Sequence, residues 1–401
     1  MKKKIIALAV AAAFSTPAFA DVGFYGIVDA AVAAISASGQ KSDMQMLSGG
    51  ASGSRIGLKA TEDLGSGLTG VAVLEYALDT QTAGSVGAAR QQMLAVASDF
   101  GTVATGYLQT TGYDFGVKFD PIAGSSVSPI QSITKGSGFL IGAVAGASRA
   151  QRALAYISPN ISGLTLAANY STALGGLGDL GVDASCTGAA NVAAVNGATP
   201  AATTAACAKD GLKTTATLLS ANYTLDALTV GAVYAATNNT NKAAGTATTK
   251  QASEYALGGS YDLGVAKLMG TFQSQKISNT VATDVITGGT ALSFAAVVPV
   301  PTGAFAVLYA KNTLTNNSLN AGVKGKNFNG SGFTAGYLHT LSKTTTAYVG
   351  YSSVSNGADT NAYSVANNAV AGTTATNTAG TASLDNGGSS SLFAVGLRKK
   401  F

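Results

Sequence analysis

The chain has 401 residues and a formal net charge of +5, yet only 11% of its residues are charged, while 46% are hydrophobic and 50 are glycine. Charge that sparse excludes an ordinary soluble domain of this length, and the slight excess of base gives nucleic-acid binding no support. The apolar residues are dispersed and do not run together in a spanning helix, which leaves strands as the means of meeting a membrane.

Residues 1–20 read as a secretory signal. Lys2, Lys3 and Lys4 form a positive start, Ile5 to Phe14 an apolar run, and Ala18-Phe19-Ala20 a small-x-small cleavage site. The apolar run is too short to span a bilayer as a helix. Cleavage is expected to leave residues 21–401, that is 401 − 20 = 381 residues, and lowers the basic count from 24 to 21 against 19 acids, a net of about +2.

From Asp21 onward the pattern has period two. In Arg55-Ile56-Gly57-Leu58-Lys59, Ile56 and Leu58 share one face while Arg55 and Lys59 share the other. In Gly70 to Tyr76, Leu74 and Tyr76 lie on the apolar face and Glu75 points away from it. Such alternation is the strand signature. Seven short connections punctuate it, at Leu64–Gly67, Asp99–Gly101, Pro159–Gly163, Leu225–Ala227, Tyr261–Gly264, Pro299–Gly303 and Leu341–Lys343. Between them lie eight longer polar segments near 36–50, 80–88, 110–148, 173–212, 239–251, 278–288, 314–329 and 355–388. Seven and eight make fifteen connections, hence sixteen strands. At about 11 residues per tilted strand these use roughly 176 residues and leave the rest for loops.

The fold class expected is therefore all-β, a sixteen-stranded antiparallel transmembrane barrel. A barrel of that width encloses water and needs something to narrow it. Thr110 to Ser148 is the candidate. It is far longer than a surface hairpin needs, and its glycines, Pro121 and Pro129 predict an irregular third loop folded inward against a polar cavity.

Further along, Cys186 and Cys207 fall within the fourth outer loop, and two cysteines in an exported chain predict one disulfide. Closing about twenty residues would stabilise by roughly 3 kcal/mol in the entropic account. Gly176-Leu177-Gly178-Asp179-Leu180-Gly181 fits a dinucleotide-binding pattern but has no helix after it, so it fails its required context. Thr290 to Ala310 carries no charge until Lys311, but Pro299 and Pro301 with Thr302-Gly303 make it one hairpin. His339 stands alone near a strand end and reads as a polar interface residue. No cofactor, metal or enzymatic activity is expected. The final strand, Ser391 to Phe401, alternates and ends on an aromatic, which suits a strand that closes a barrel and is read by the barrel-assembly machinery.

Four stretches resemble the Gram-negative general porins, most closely their β-proteobacterial branch: Asp21-Val22-Gly23-Phe24-Tyr25-Gly26-Ile27-Val28-Asp29-Ala30, Ser54 to Gly65, Asp99 to Gly106, and Gly396-Leu397-Arg398-Lys399-Lys400-Phe401. The resemblance implies a homotrimer in outer-membrane lipid, each barrel passing ions and small hydrophilic solutes through a pore narrowed by the third loop. It also implies a constriction in which wall arginines face acids of that loop. Arg55 matches the arginine of the Ser-Arg-x-Gly motif, and Arg90 that of Asn-Arg-Gln, with Ala89 in place of Asn. Arg149 matches the arginine after the third loop, although Gln151-Arg152-Ala153 replaces the usual Asn-Asn-Ser. Alternation with Leu154 and Tyr156 assigns Arg152 to the lipid side and Arg149 to the lumen. The acids expected opposite are Asp114 and Asp120 on the loop, joined by Glu75 from the third strand, with Lys59 and Lys118 adding positive charge. Such a field should favour anions modestly. Two other readings stay open: a substrate-specific outer-membrane channel, and a surface adhesin or receptor acting through the long outer loops.

Overall fold

The structure is a computed structural model describing residues 21–39, 42–81, 86–125, 127–174, 213–241, 248–278, 284–365 and 386–401. Seventeen strand segments form a single antiparallel sheet. They are β1 (Asp21–Ala37), β2 (Asp43–Ser48), β3 (Arg55–Gly65), β4 (Leu68–Ala77), β5 (Ala89–Ser98) and β6 (Gly101–Gln109). After the third long connection come β7 (Arg149–Ile157), β8 (Leu164–Leu174), β9 (Lys213–Leu225), β10 (Leu228–Asn241), β11 (Thr248–Asp262) and β12 (Lys267–Ser278). The last five are β13 (Ile286–Val300), β14 (Gly303–Asn316), β15 (Gly330–Thr340), β16 (Thr345–Asn356) and β17 (Ser389–Lys400). One edge of β1 pairs with β2 along Ala30–Ile35 and with β3 along Asp21–Ile27, so β2 and β3 share one stave and 17 − 1 = 16 strands circle the barrel.

The expected barrel is there, with one local correction. Residues 36–50 were expected to be a loop, but β2 occupies Asp43–Ser48. Met44 and Met46 lie outward and exposed while Leu47 is buried, so the alternation resumes for six residues before a break at 49–54.

Alternation puts large apolar side chains on the outside. On β14, Phe305, Val307 and Tyr309 are exposed while Ala306, Leu308 and Ala310 are buried. On β17, Phe393, Val395 and Leu397 are exposed while Leu392 and Ala394 are buried. A face this apolar would drive a soluble protein to associate; in lipid it is the required exterior. The short turns match their expected places. Ser66 and Gly67 link β3 to β4 with φ of 54° and 76°, the left-handed backbone that tight hairpins need.

The ring closes where β1 meets β17, with Ile27 opposite Lys400 and Ala37 opposite Ser390. Gly26 and Phe401 exchange both backbone hydrogen bonds, at 3.0 and 3.2 Å. The Phe401 ring lies so close over Gly26 that a Cβ there would come within 2.4 Å of it and 2.8 Å of the Arg55 carbonyl. Glycine is the residue that lets the last aromatic seat.

The segment 110–148 is more ordered than the irregular loop expected. It holds two helices, α1 (Thr111–Phe119) and α2 (Pro129–Gly136). Thr110 and Ser128 cap them, their side chains accepting from Tyr113 N and Gln131 N. Pro129 sits in the first turn, where its missing N–H costs nothing, so a residue read as a loop former starts a helix.

Candidate functional site: the inner wall and the segment lying on it

Aromatic packing seats α1. Phe115 and Phe119 meet edge to face with centroids 5.0 Å apart. Gly231 on β10 pairs with Gly258 on β11, and the paired glycines open a slot for Phe119. A Cβ on Gly258 would fall 2.5 Å from the Phe119 ring and 2.9 Å from Phe115. Burying one such ring contributes roughly 2–3 kcal/mol.

Polar wall side chains then satisfy the backbone that follows. Glu254, 1% exposed, accepts from Leu140 N at 2.6 Å and from Gln273 Nε2 at 3.0 Å. Gln273 also donates to the Ile141 carbonyl and Gln275 to the Gly138 carbonyl, both at 2.8 Å. Thr334 Oγ1 donates to the Val127 carbonyl at 2.5 Å. Asn312 Nδ2 donates to Ser137 Oγ and, at 2.7 Å, to the hydroxyl of Tyr363, which comes in from the last outer connection and packs against Gly136. Irregular backbone at membrane depth needs such partners. Burial pushes the Tyr363 hydroxyl above its ordinary pKa.

Across from these anchors, charge gathers on β3, β4, β5 and the start of β7. Arg90 Nε donates to Glu75 Oε1 at 2.7 Å, and Arg55 Nε lies 3.7 Å from Glu75 Oε2. Arg149 Nε donates to the Arg90 carbonyl at 3.0 Å, and its guanidinium lies over the Tyr113 ring, 4.7 Å from the centroid. Arg90 Nη2 reaches the Tyr113 hydroxyl at 3.5 Å. Three arginines, one carboxylate and one tyrosine of α1 thus form a continuous set of contacts.

The remaining sequence-derived residues divide. Asp114 and Lys118, on α1, face open water but are ringed by barrel atoms. That enclosure pushes the Asp114 carboxyl up to about 6, against the pull of Lys118, and pushes Lys118 down. Asp120 is buried, and its carboxylate accepts from Ser128 Oγ at 2.6 Å, Gln131 Nε2 at 2.8 Å and Ile122 N at 3.0 Å. It ties one helix to the next and makes no contact with an arginine; burial raises its pKa. Glu75 is the acid that the arginines touch, from their own wall and not from the loop. Lys59 is exposed on β3, four residues past Arg55. Arg152 has φ 46° where the β6–β7 register shifts between Gly106 and Leu108. That bulge interrupts the alternation used to assign Arg149, whose position rests instead on its contacts with Arg90 and Tyr113. His339 hydrogen-bonds Tyr337 on the same strand at 3.1 Å. Cys186, Cys207 and the glycine-rich 176–181 lie outside the described residues.

The break between β2 and β3 was not anticipated. Asp29, fully buried on β1, accepts from the Tyr348 hydroxyl at 2.5 Å and from Ala51 N at 3.2 Å. Ser54 Oγ donates to the Asp29 carbonyl and accepts from its N–H, both at 3.0 Å. These bonds draw residues 49–54 to the inner side, where Gly53 lies next to Gly124 of the long segment and Arg90, and its carbonyl accepts from Arg55 Nη1 at 3.0 Å. An acid in an apolar first strand, Asp29 between Val28 and Ala30, was the available signal.

The family model described as Gram-negative porin matches residues 7–359. Outer membrane porin protein 32 of Delftia acidovorans is 30% identical over 175 residues, 43% of this chain; the match spans about half the length of that relative, 50%. An anion-selective porin from Comamonas acidovorans superposes with a TM-score of 0.70 at 23% identity, covering 95% of this chain and all 100% of that one. The trimer form of OmpT from Vibrio cholerae gives 0.61 at 15% identity, covering 96% and 100%. At such identities the solved structures establish a shared fold. The family match, which covers well over half of the sequence and agrees with the closed sixteen-stranded barrel, places this chain in the Gram-negative porin family.

Proposed function

We propose that the protein is a water-filled outer-membrane channel through which ions and small hydrophilic solutes diffuse passively, with a modest preference for anions. The wall cluster carries this reading. Arg55, Arg90 and Arg149 stand against the one carboxylate of Glu75, a net of 3 − 1 = +2. Arginine keeps its charge at any working pH. Asp120 is spent inside the long segment, and Asp114 has Lys118 beside it on α1. In this reading the segment 110–148 and the wall cluster form the narrowest part of the pore.

Assembly as a homotrimer follows the porin resemblance and the trimer form of the OmpT neighbour. Removal of residues 1–20 and recognition of Phe401 by the barrel-assembly machinery belong to the same reading. So does a Cys186–Cys207 disulfide, which mass spectrometry of unreduced peptides should find linked; free alkylation of both thiols in native protein would exclude it.

Planar-bilayer recording in a salt gradient tests the channel. Replacing Arg55 and Arg90 by glutamine takes the cluster from +2 to 1 − 1 = 0. The zero-current potential should shift toward cations, most in dilute salt, since the Debye length is about 10 Å at 0.1 M and about 3 Å at 1 M. An unchanged potential would mean that these side chains do not set the field ions feel.

A further inference from the structure

We propose that Tyr348 and Asp29 are positioning residues for Arg55: through the turn at 49–54 they hold its guanidinium off the Glu75 carboxylate and keep its charge available to anions in the pore. This role presupposes the anion-favouring channel proposed above. Arg90 and Arg55 do not share Glu75 equally. Arg90 Nε closes on Oε1 at 2.7 Å, whereas Arg55 Nε stops 3.7 Å from Oε2. Arg55 is restrained at its other end, where Nη1 donates to the Gly53 carbonyl at 3.0 Å. Nη1 reaches that carbonyl only because residues 49–54 turn inward.

Tyr348 holds that inward course from two strands away. It pairs in register with Gly396 on β17, and Gly396 pairs with Ala31 on β1, so the side chain crosses a whole strand to reach an acid of β1. Two strand spacings make roughly 10 Å. Glycine opens the path, since a Cβ on Gly396 would collide with the Tyr348 ring and hydroxyl. At the far side the hydroxyl donates to Asp29 Oδ1 at 2.5 Å, and Oδ2 accepts from Ala51 N at 3.2 Å. The Asp29 carbonyl accepts from Gly49 N at 2.9 Å, and its N–H donates to Ser54 Oγ at 3.0 Å. Asp29 therefore grips the turn at its start, middle and end.

Asp29 is fully buried, and a buried acceptor stripped of its donor must turn to find another. Removing the Tyr348 hydroxyl therefore turns the carboxylate from Ala51, slackens the turn and frees Arg55 to close on Glu75. Opposite charges in contact largely cancel for an ion at a distance. Arg398 stands opposite Asp29 across the β1–β17 seam. Its charge, like every other in the pore, is untouched when a phenol is exchanged for a phenyl ring. A change in ion preference then reports geometry alone.

The test uses the full-length protein in planar bilayers under a dilute potassium chloride gradient. Tyr348→Phe should move the zero-current potential toward cations, in the direction of Arg55→Gln and by a smaller amount. In the Arg55→Gln background the same exchange should add no shift, because the guanidinium through which it acts is gone. Gly50→Ala should reproduce the Tyr348→Phe shift, since a Cβ there would collide with the Tyr348 hydroxyl and drive it off Asp29. Heat-modifiable migration on gels selects the folded barrel for every variant, and Gly50→Ala is read alone if Tyr348→Phe does not fold. A tyrosine with only a structural role would lower the temperature at which migration changes and leave the potential where it was. An unmoved potential in the folded single variants, or an equal shift with and without Arg55, would overturn the proposal while the channel reading stands. An Arg55→Gln variant with an unmoved potential would overturn both.

Discussion

Tyr113 has no charge, yet it touches two of the three arginines in the wall cluster. Removing the ring should therefore alter selectivity without altering net charge. Tyr113→Ala is expected to lower the anion preference in a salt gradient, while Tyr113→Phe, which keeps the face beneath Arg149, should stay near wild type. Glu75→Gln should act in the opposite direction and raise the preference, because it deletes the carboxylate shared by Arg55 and Arg90. Asp114 adds a pH dependence. Its carboxyl, pushed up to about 6, is charged above that pH and neutral below it. The lumen loses a negative charge on acidification, so anion preference should rise as pH falls through about 6, and Asp114→Asn should remove the step. Arg55 and Arg90 were legible in the sequence because each sits in a short motif. Asp114 and Asp120 were not separable there. Both are acids on the same segment, and burial among Ser128 and Gln131 is what distinguishes the second. Tyr113 gave no signal, since its role depends on where Arg149 comes to lie.

At the level of elements, the long segment is held by a few contacts that can be broken singly. Gly258→Val would place carbon within 2.5 Å of the Phe119 ring and expel it from its slot. Phe119→Ala empties the slot instead and should cost about 3–5 kcal/mol of local anchoring. Both variants should keep the barrel and show larger, noisier single-channel currents; unchanged traces would mean that α1 is held by its polar contacts alone. The strands themselves were readable from alternation and turn residues, and the hairpin at 299–303 lies where its prolines put it. The helices were not. Thr110 and Ser128 are ordinary loop residues until the chain after each one turns helical, and Pro129 is ambiguous between breaking a helix and opening one.

The whole barrel depends on joining residues more than 370 positions apart, Gly26 and Phe401 (401 − 26 = 375). Pairing of such high sequence separation is slow and exposes edges until it is complete. Gly26→Leu would collide with both the Phe401 ring and the Arg55 carbonyl. Less of the protein should then reach the heat-modifiable folded form, with a several-fold drop in the outer-membrane fraction. Strand number was recoverable from fifteen connections because each connection carries its own turn chemistry. The break at 49–54 escaped because Gly49-Gly50-Ala51-Ser52-Gly53-Ser54 has the composition of a surface loop. Its inward course depends on Asp29 and Tyr348, from strands at opposite ends of the chain.

That break has an electrical consequence. In the proposed channel the aperture would have two adjoining jaws, since residues 49–54 turn inward from the wall and Gly53 lies next to Gly124 of the long segment. Resistances along a pore add in series. Excising the loop jaw would therefore leave the wall jaw, with Arg55 and Arg90 beside it, as a residual resistor, and the current would stop short of that through an unobstructed cylinder of sixteen strands.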